Sequence, residues 1–121
     1  MKYLCLIFLD EKQYEQYDAM PQSEQDACVK EHLAYDDELR KSGHLIVTEA
    51  LQSVKTATTV RVRDGKVSVT DGPFAETKEQ LGGFYLIEAR DLNDAIRVAS
   101  KIPSARIGSI EVRPIKELNP Q

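Results

Sequence analysis

Lys2-Tyr3-Leu4-Cys5-Leu6-Ile7-Phe8-Leu9 is apolar on both parities. Read as a strand, it sends Leu4, Leu6 and Phe8 to one face and Tyr3, Cys5 and Ile7 to the other. A strand of this kind must be covered on both faces. With 121 residues the chain fits a single domain, residues 1–121, with a core of ordinary size. Helices then cover one face of the strand, and a second subunit or a ligand cavity covers the other. The run is too short to span a membrane, and no signal-peptide pattern surrounds it.

Residues 83–89 repeat the pattern, with Phe84 and Leu86 on one face and Tyr85 and Ile87 on the other. Between these two strands the spacing predicts a helix that starts at Ser23 as cap, with Asp26 three residues on, and stops near Ser42-Gly43. Its stripe is Cys28, His32, Tyr35 and Leu39, flanked by Val29 and Leu33. A strand over 44–50 follows. Asp64-Gly65 is a strong two-residue turn signal that pairs Val62 with Val67 and Val60 with Val69. After the second apolar strand, Asp91 caps another helix with the stripe Leu92, Ala95, Ile96, Ala99 and Ile102, ending before Pro103. A last strand, about 107–115, turns Ile110 and Val112 inward and Glu111 and Arg113 outward. The order is strand, helix, strand, hairpin, strand, helix, strand. That is an α+β fold of the ferredoxin-like, split βαβ kind with an inserted β-hairpin. Two helices cover only one face of the sheet, so a two-fold homodimer is expected to bury the other.

Composition narrows the function. Acidic residues outnumber basic ones, giving a formal net charge of -4, and no basic stripe recommends nucleic acid as a partner. Cys5 lies in the apolar run and Cys28 in the helical stripe. Both read as small buried hydrophobes in a reducing compartment, and the chain is expected to be cytoplasmic, with no membrane partner. No Cys/His spacing points to a metal and no Gly-rich loop to a phosphate, so no cofactor is expected.

One segment asks for more than core and surface. The alternating run Val67-Ser68-Val69-Thr70 stops at Asp71-Gly72-Pro73-Phe74. Asp71 can bond its own backbone two residues on, Gly72 tolerates unusual angles, and Pro73 stiffens the corner. Such a corner either plugs Phe74 into the core or aims a carboxylate and a ring at a fixed place. The segment resembles the signature of the DGPF family, part of the wider YCII-related superfamily. The resemblance covers nearly the whole chain. It takes in Met1-Lys2-Tyr3-Leu4, then Thr58-Thr59-Val60-Arg61-Val62-Arg63-Asp64-Gly65-Lys66-Val67, the corner itself, and Glu111-Val112-Arg113-Pro114. It implies a dimeric α/β-barrel type of arrangement. It also implies a histidine in the first helix belonging to a His–Asp site, for which His32-Leu33-Ala34 with Gly43 eleven positions later is the match. Many DGPF relatives carry Tyr at that position. The resemblance further suggests a regulatory link to sigma factors of the extracytoplasmic-function type.

His32 is the strongest candidate for chemistry. Its place in an apolar stripe turns the ring toward the sheet, where its N–H needs a partner. Asp36 one turn on, or the rigidly held Asp71, can supply it. It reads either as a hydrogen-bonded core histidine or as a proton shuttle. His32 and Asp71 are expected to share one cavity bounded by Phe74 and Tyr85. Gly72, Pro73, Phe74, Tyr85 and Tyr35 are the candidate ligand-binding residues. Arg61 and Arg63 are either anion-gripping or the solvated face of the hairpin. Gly82-Gly83 marks a bulge or a close backbone approach. His44, after a helix-ending Gly, is expected to be exposed. Three functions stay open: a small cofactor-free acid/base catalyst, a non-catalytic binder of an unknown small molecule, and a regulatory partner protein.

Overall fold

The computed structural model describes residues 1–119. Along the chain come β1 (Lys2–Asp10), α1 (Glu11–Ala19), α2 (Gln22–Lys41), β2 (Leu45–Ala50), β3 (Thr58–Arg63), β4 (Lys66–Asp71), β5 (Glu79–Glu88), α3 (Leu92–Ser100) and β6 (Ser109–Pro114). Short 3-10 turns occupy Val54–Thr56 and Pro103–Arg106. The main sheet runs β2-β5-β1-β6 with every neighbouring pair antiparallel. β5 lies between β1 and β2, and β1 lies between β5 and β6. These are the two interlocked split βαβ units of a ferredoxin-like α+β fold. The sheet is open, and no barrel closes among the described residues of the chain.

The two apolar strands sit at the centre of the sheet, as their double-sided pattern demands. On the helix face, Tyr3, Cys5, Ile7, Tyr85 and Ile87 pack with Tyr35 and Leu39 of α2 and Ala95, Val98 and Ala99 of α3. On the opposite face, register lines up Leu4 with Leu86 and Val47, and Leu6 with Phe84. No helix lies over that band, and its members are half-buried or exposed.

The helices differ from the sequence reading in three ways. α1 has no counterpart there: Asp10 caps it by accepting from the Lys12 N–H at 3.1 Å, yet none of its residues is buried. No apolar stripe announces such a helix. α2 starts at Gln22 behind Pro21, not at a Ser23 cap. Its buried face holds Asp36 with Tyr35 and Leu39, while Val29 and Leu33 are exposed. α3 is capped by Asp91 as expected, but Ala95, Val98, Ala99 and Ile102 go inward and Leu92 and Ile96 stay out. Asp94 is buried on the same face.

Asp94 accepts the Arg90 backbone N–H at 3.0 Å, His44 Nε2 at 3.0 Å and the Arg97 guanidinium at 3.2 Å. His44, also bonded to Ser42 Oγ at 2.7 Å, is thus a latch between β2 and α3 and not a free surface residue. These donors, the Arg90 N–H first, hold the Asp94 carboxyl far below its ordinary value of 3.8. A depressed native pKa gives stability that is present above the ordinary value and lost as pH falls below it toward the native one. Melting temperature is therefore expected to drop between about pH 4 and pH 2, and Asp94→Asn to flatten that acid limb. An unchanged limb in the variant refutes the assignment.

The hairpin follows the sequence. Val62 pairs with Val67 and Val60 with Val69, and Asp64 and Gly65 take φ of 51° and 74° at the turn, as a type I′ turn requires. It forms its own two-stranded sheet. Its four valines are 56–66% exposed. Among the described residues no helix is long and apolar enough to cross a membrane.

Candidate functional site

A cavity of about 730 Å³ opens beside the helix face of the sheet, between α1, α2, β2, β5 and the Pro103–Arg106 turn. Its walls are mainly apolar, with Ile7, Leu9, Val29, Leu33, Leu51 and Ile107 contributing. Among the groups lining this space that can do chemistry are His32, Asp36, Thr48, Tyr85 and Ser104.

His32 is half-buried on α2. Its Nδ1 lies 3.0 Å from the Cys28 carbonyl oxygen. A carbonyl only accepts, so Nδ1 carries a proton and donates it. In the neutral ring Nε2 is then an acceptor, and the Ser104 hydroxyl donates to it over 3.1 Å. The N–H partner foreseen from sequence is thus a backbone carbonyl one turn back, not Asp36 or Asp71. Ser104 is placed by the 3-10 turn behind Pro103, itself buried.

Asp36 lies one turn beyond His32 and is buried. It accepts the Tyr85 hydroxyl at 2.5 Å. Burial first, then the bond to Asp36, pushes the Tyr85 phenol well above its ordinary value, so it stays a donor. The Thr48 hydroxyl, across the sheet from Tyr85, donates to the Phe84 carbonyl at 2.9 Å. The cavity thus holds a hydroxyl–imidazole pair and a phenol–carboxyl pair on a largely apolar background.

Glycines shape the same wall. The β1–β5 register slips between Ile7 and Phe8, leaving Gly82 as the extra residue of a bulge. A Cβ on Gly83 would meet the Glu49 carbonyl oxygen at 2.9 Å, and one on Gly82 the Tyr14 hydroxyl at 2.8 Å. Both sequence readings, bulge and close approach, therefore hold, at adjacent residues. α1 forms the facing wall. It is tied down by Tyr14 donating to the Leu51 carbonyl at 3.1 Å and by Ser53 donating to Glu11 at 2.5 Å.

Of the sequence candidates, His32, Asp36, Gly82, Gly83 and Tyr85 line this cavity, whereas Tyr35, Asp71, Gly72, Pro73 and Phe74 do not. Tyr35 turns into the core, where its hydroxyl donates to the Val98 carbonyl at 2.6 Å and burial pushes its pKa up to about 12. Asp71 ends β4, exposed and opposite Thr58. Among the described residues its carboxylate accepts no hydrogen bond, so it does not cap the corner. The corner is held instead by Gly72, at φ 102°. Its N–H donates to Ala57 at 2.8 Å and its carbonyl accepts from Thr59 at 2.7 Å. Pro73 is half-buried, and Phe74 neither plugs the core nor bounds the cavity: it is 78% exposed. Arg61 donates to the Phe74 carbonyl at 3.2 Å, fastening the corner to the hairpin. Asp36 and Ser104 take the places given to Asp71 and Phe74. Asp36 had a sequence signal, its i+4 spacing from His32. Ser104 had none, because 72 residues separate it from His32 and only the fold brings them together.

Among the described residues no group of three His, Cys, Asp or Glu side chains is arranged to hold a metal ion. Cys5 and Cys28 are both free thiols.

Residues 1–119 match the YCII-related domain. The chain is also 35% identical over 122 residues to an uncharacterised protein of Rhizobium meliloti (strain 1021), an alignment covering 99% of this chain and 96% of that one.

Proposed function

Since the chain belongs to the YCII-related family, we propose that it is a homodimer that binds a small, largely apolar molecule and performs cofactor-free acid/base chemistry on it. The observation that supports this reading is the convergence of His32–Ser104 and Tyr85–Asp36 on one mostly apolar cavity. A few convergent polar groups in an apolar pocket are what a ligand site needs for orientation. An imidazole with a fixed tautomer is a ready proton acceptor. The proton-handling partner is drawn from Ser104 and Asp36, which line the cavity as Asp71 does not.

A screen of small apolar acids, ketones and esters by thermal shift tests the binding half. A true ligand at a hundredfold its Kd stabilises the fold by about 2.7 kcal/mol. Leu33→Trp, at the exposed rim of the cavity, is expected to abolish that shift. A screen without a saturable shift counts against the reading.

The uncovered band of Leu4, Leu6, Phe84, Leu86 and Val47 supports the dimer. Sedimentation is expected to show a dimer at micromolar concentration, and Leu6→Glu a folded monomer. A wild-type monomer overturns it. A second reading, a regulatory partner protein, draws on the hairpin, whose four valines are exposed outside the main sheet.

A further inference from the structure

We infer that Ser104 is a nucleophile activated by His32, and that the cavity takes a carboxylic ester of a mainly apolar acid. The inference deepens the proposed function and rests on its reading of the cavity as the ligand site.

Both ring nitrogens of His32 are occupied, Nδ1 by the Cys28 carbonyl and Nε2 by the Ser104 hydroxyl. Neither can meet a ligand directly. The atom of this pair free to meet one is Ser104 Oγ, which keeps lone pairs after donating its proton toward Nε2. Ser104 lines the cavity together with His32. A hydroxyl within hydrogen-bond reach of a base, the base oriented by a third group, is the arrangement that activates a nucleophile. Here the third group is a main-chain carbonyl. It fixes the productive tautomer through the same helical turn that places the ring. Ser104 itself sits on a short turn whose carbonyl accepts the Ile107 and Gly108 N–H groups at 3.2 and 2.9 Å, so the hydroxyl is carried on a fastened backbone. The apolar walls suit an acyl chain and admit no strong anion partner beside the pair.

In the reaction, Ser104 Oγ attacks the ester carbonyl carbon as its proton passes to His32 Nε2. The tetrahedral adduct collapses, the bond from carbon to the alkoxide oxygen breaks, and the alkoxide leaves as the alcohol by taking the proton from the imidazolium. Water then attacks the acyl-serine with His32 as base, releasing the acid and restoring Ser104.

The test is to treat the full chain with an alkyl fluorophosphonate. The Oγ–P bond forms, P–F breaks, and fluoride leaves. The expected result is one phosphonyl group per chain by intact mass, mapped to Ser104 by peptide sequencing of the wild-type protein. His32→Gln is expected to slow labelling at least about 100-fold, the usual minimum for a lost general base. Ser104→Ala is expected to remove it while melting cooperatively. No adduct on folded wild-type chain, an adduct only at another residue, or an unchanged rate in His32→Gln overturns the inference. Ligand shifts without an adduct also overturn it while leaving the binding reading intact. An adduct on Ser104 without any fragment shift upholds the His32-activated nucleophile and overturns the apolar-acid ester as its substrate.

Discussion

Gly108→Ala is expected to destabilise the protein by about 3 kcal/mol, the upper end of overpacking effects. A Cβ at residue 108 would sit 2.2 Å from the Phe8 carbonyl oxygen and 2.7 Å from a Leu9 methyl. The first of these is main chain of the central strand, which cannot swing aside as a side chain can. Relief requires β6 to draw back from β1 just where Phe8 pairs with Ser109. In a domain of this size the loss corresponds to a drop in melting temperature on the order of 10 °C. The same shift moves the turn that carries Ser104, so any labelling or ligand response should fall more steeply than stability alone explains. A melting temperature within about 2 °C of wild type rules out the close approach.

The second large effect lies at Tyr85. Tyr85→Phe keeps the ring and its tilted packing on Tyr35, whose centroid is 6.4 Å away. It removes only the hydroxyl that donates to Asp36. A buried carboxyl group stripped of its donor costs about 2 kcal/mol. In an Asp36→Ala background the same change should cost well under about 1 kcal/mol, because the acceptor has gone too. Equal losses in the two backgrounds contradict the pair. Denaturant unfolding of the four chains closes the cycle.

Much of the fold was legible because its strongest signals are local. Two strands apolar on both parities take the centre of the sheet, Asp64-Gly65 makes the hairpin turn with the forecast pairs, and Asp91 caps α3. α1 escaped because it buries none of its residues: its only cues are the Asp10 cap and Tyr14 and Tyr17, with no stripe to give a period. The stripe Cys28, His32, Tyr35 and Leu39 of α2 turns inward as read, while its flanks Val29 and Leu33 and, on α3, Leu92 and Ile96 stay exposed. Asp36 and Asp94 are buried with partners distant in sequence, Tyr85 for one and His44 for the other, and periodicity counts an aspartate as surface. The site shows the same limit. His32 and Tyr85 could be chosen from their place on an apolar stripe and a central strand. Ser104 could not, since a serine after a proline carries no mark until the chain folds. Asp71-Gly72-Pro73-Phe74 makes a corner as its residues imply, with Gly72 at positive φ, but a turn signal carries no direction, and none of the four residues lines the cavity.

α1 walls the cavity while burying none of its side chains. Detaching it forfeits little apolar contact; the losses include the bonds from Tyr14, Ser53 and Gln25 and the Lys55–Glu15 ion pair. The sheet, in contrast, rests on the packed strands of its centre. The chain is therefore built from two tiers of cooperativity, and its innermost amides and those of α1 should exchange with solvent by different routes. β1 amides await global unfolding, whereas α1 amides exchange through a local opening that leaves the scaffold whole. The cavity wall can then open quickly in a protein whose core turns over slowly.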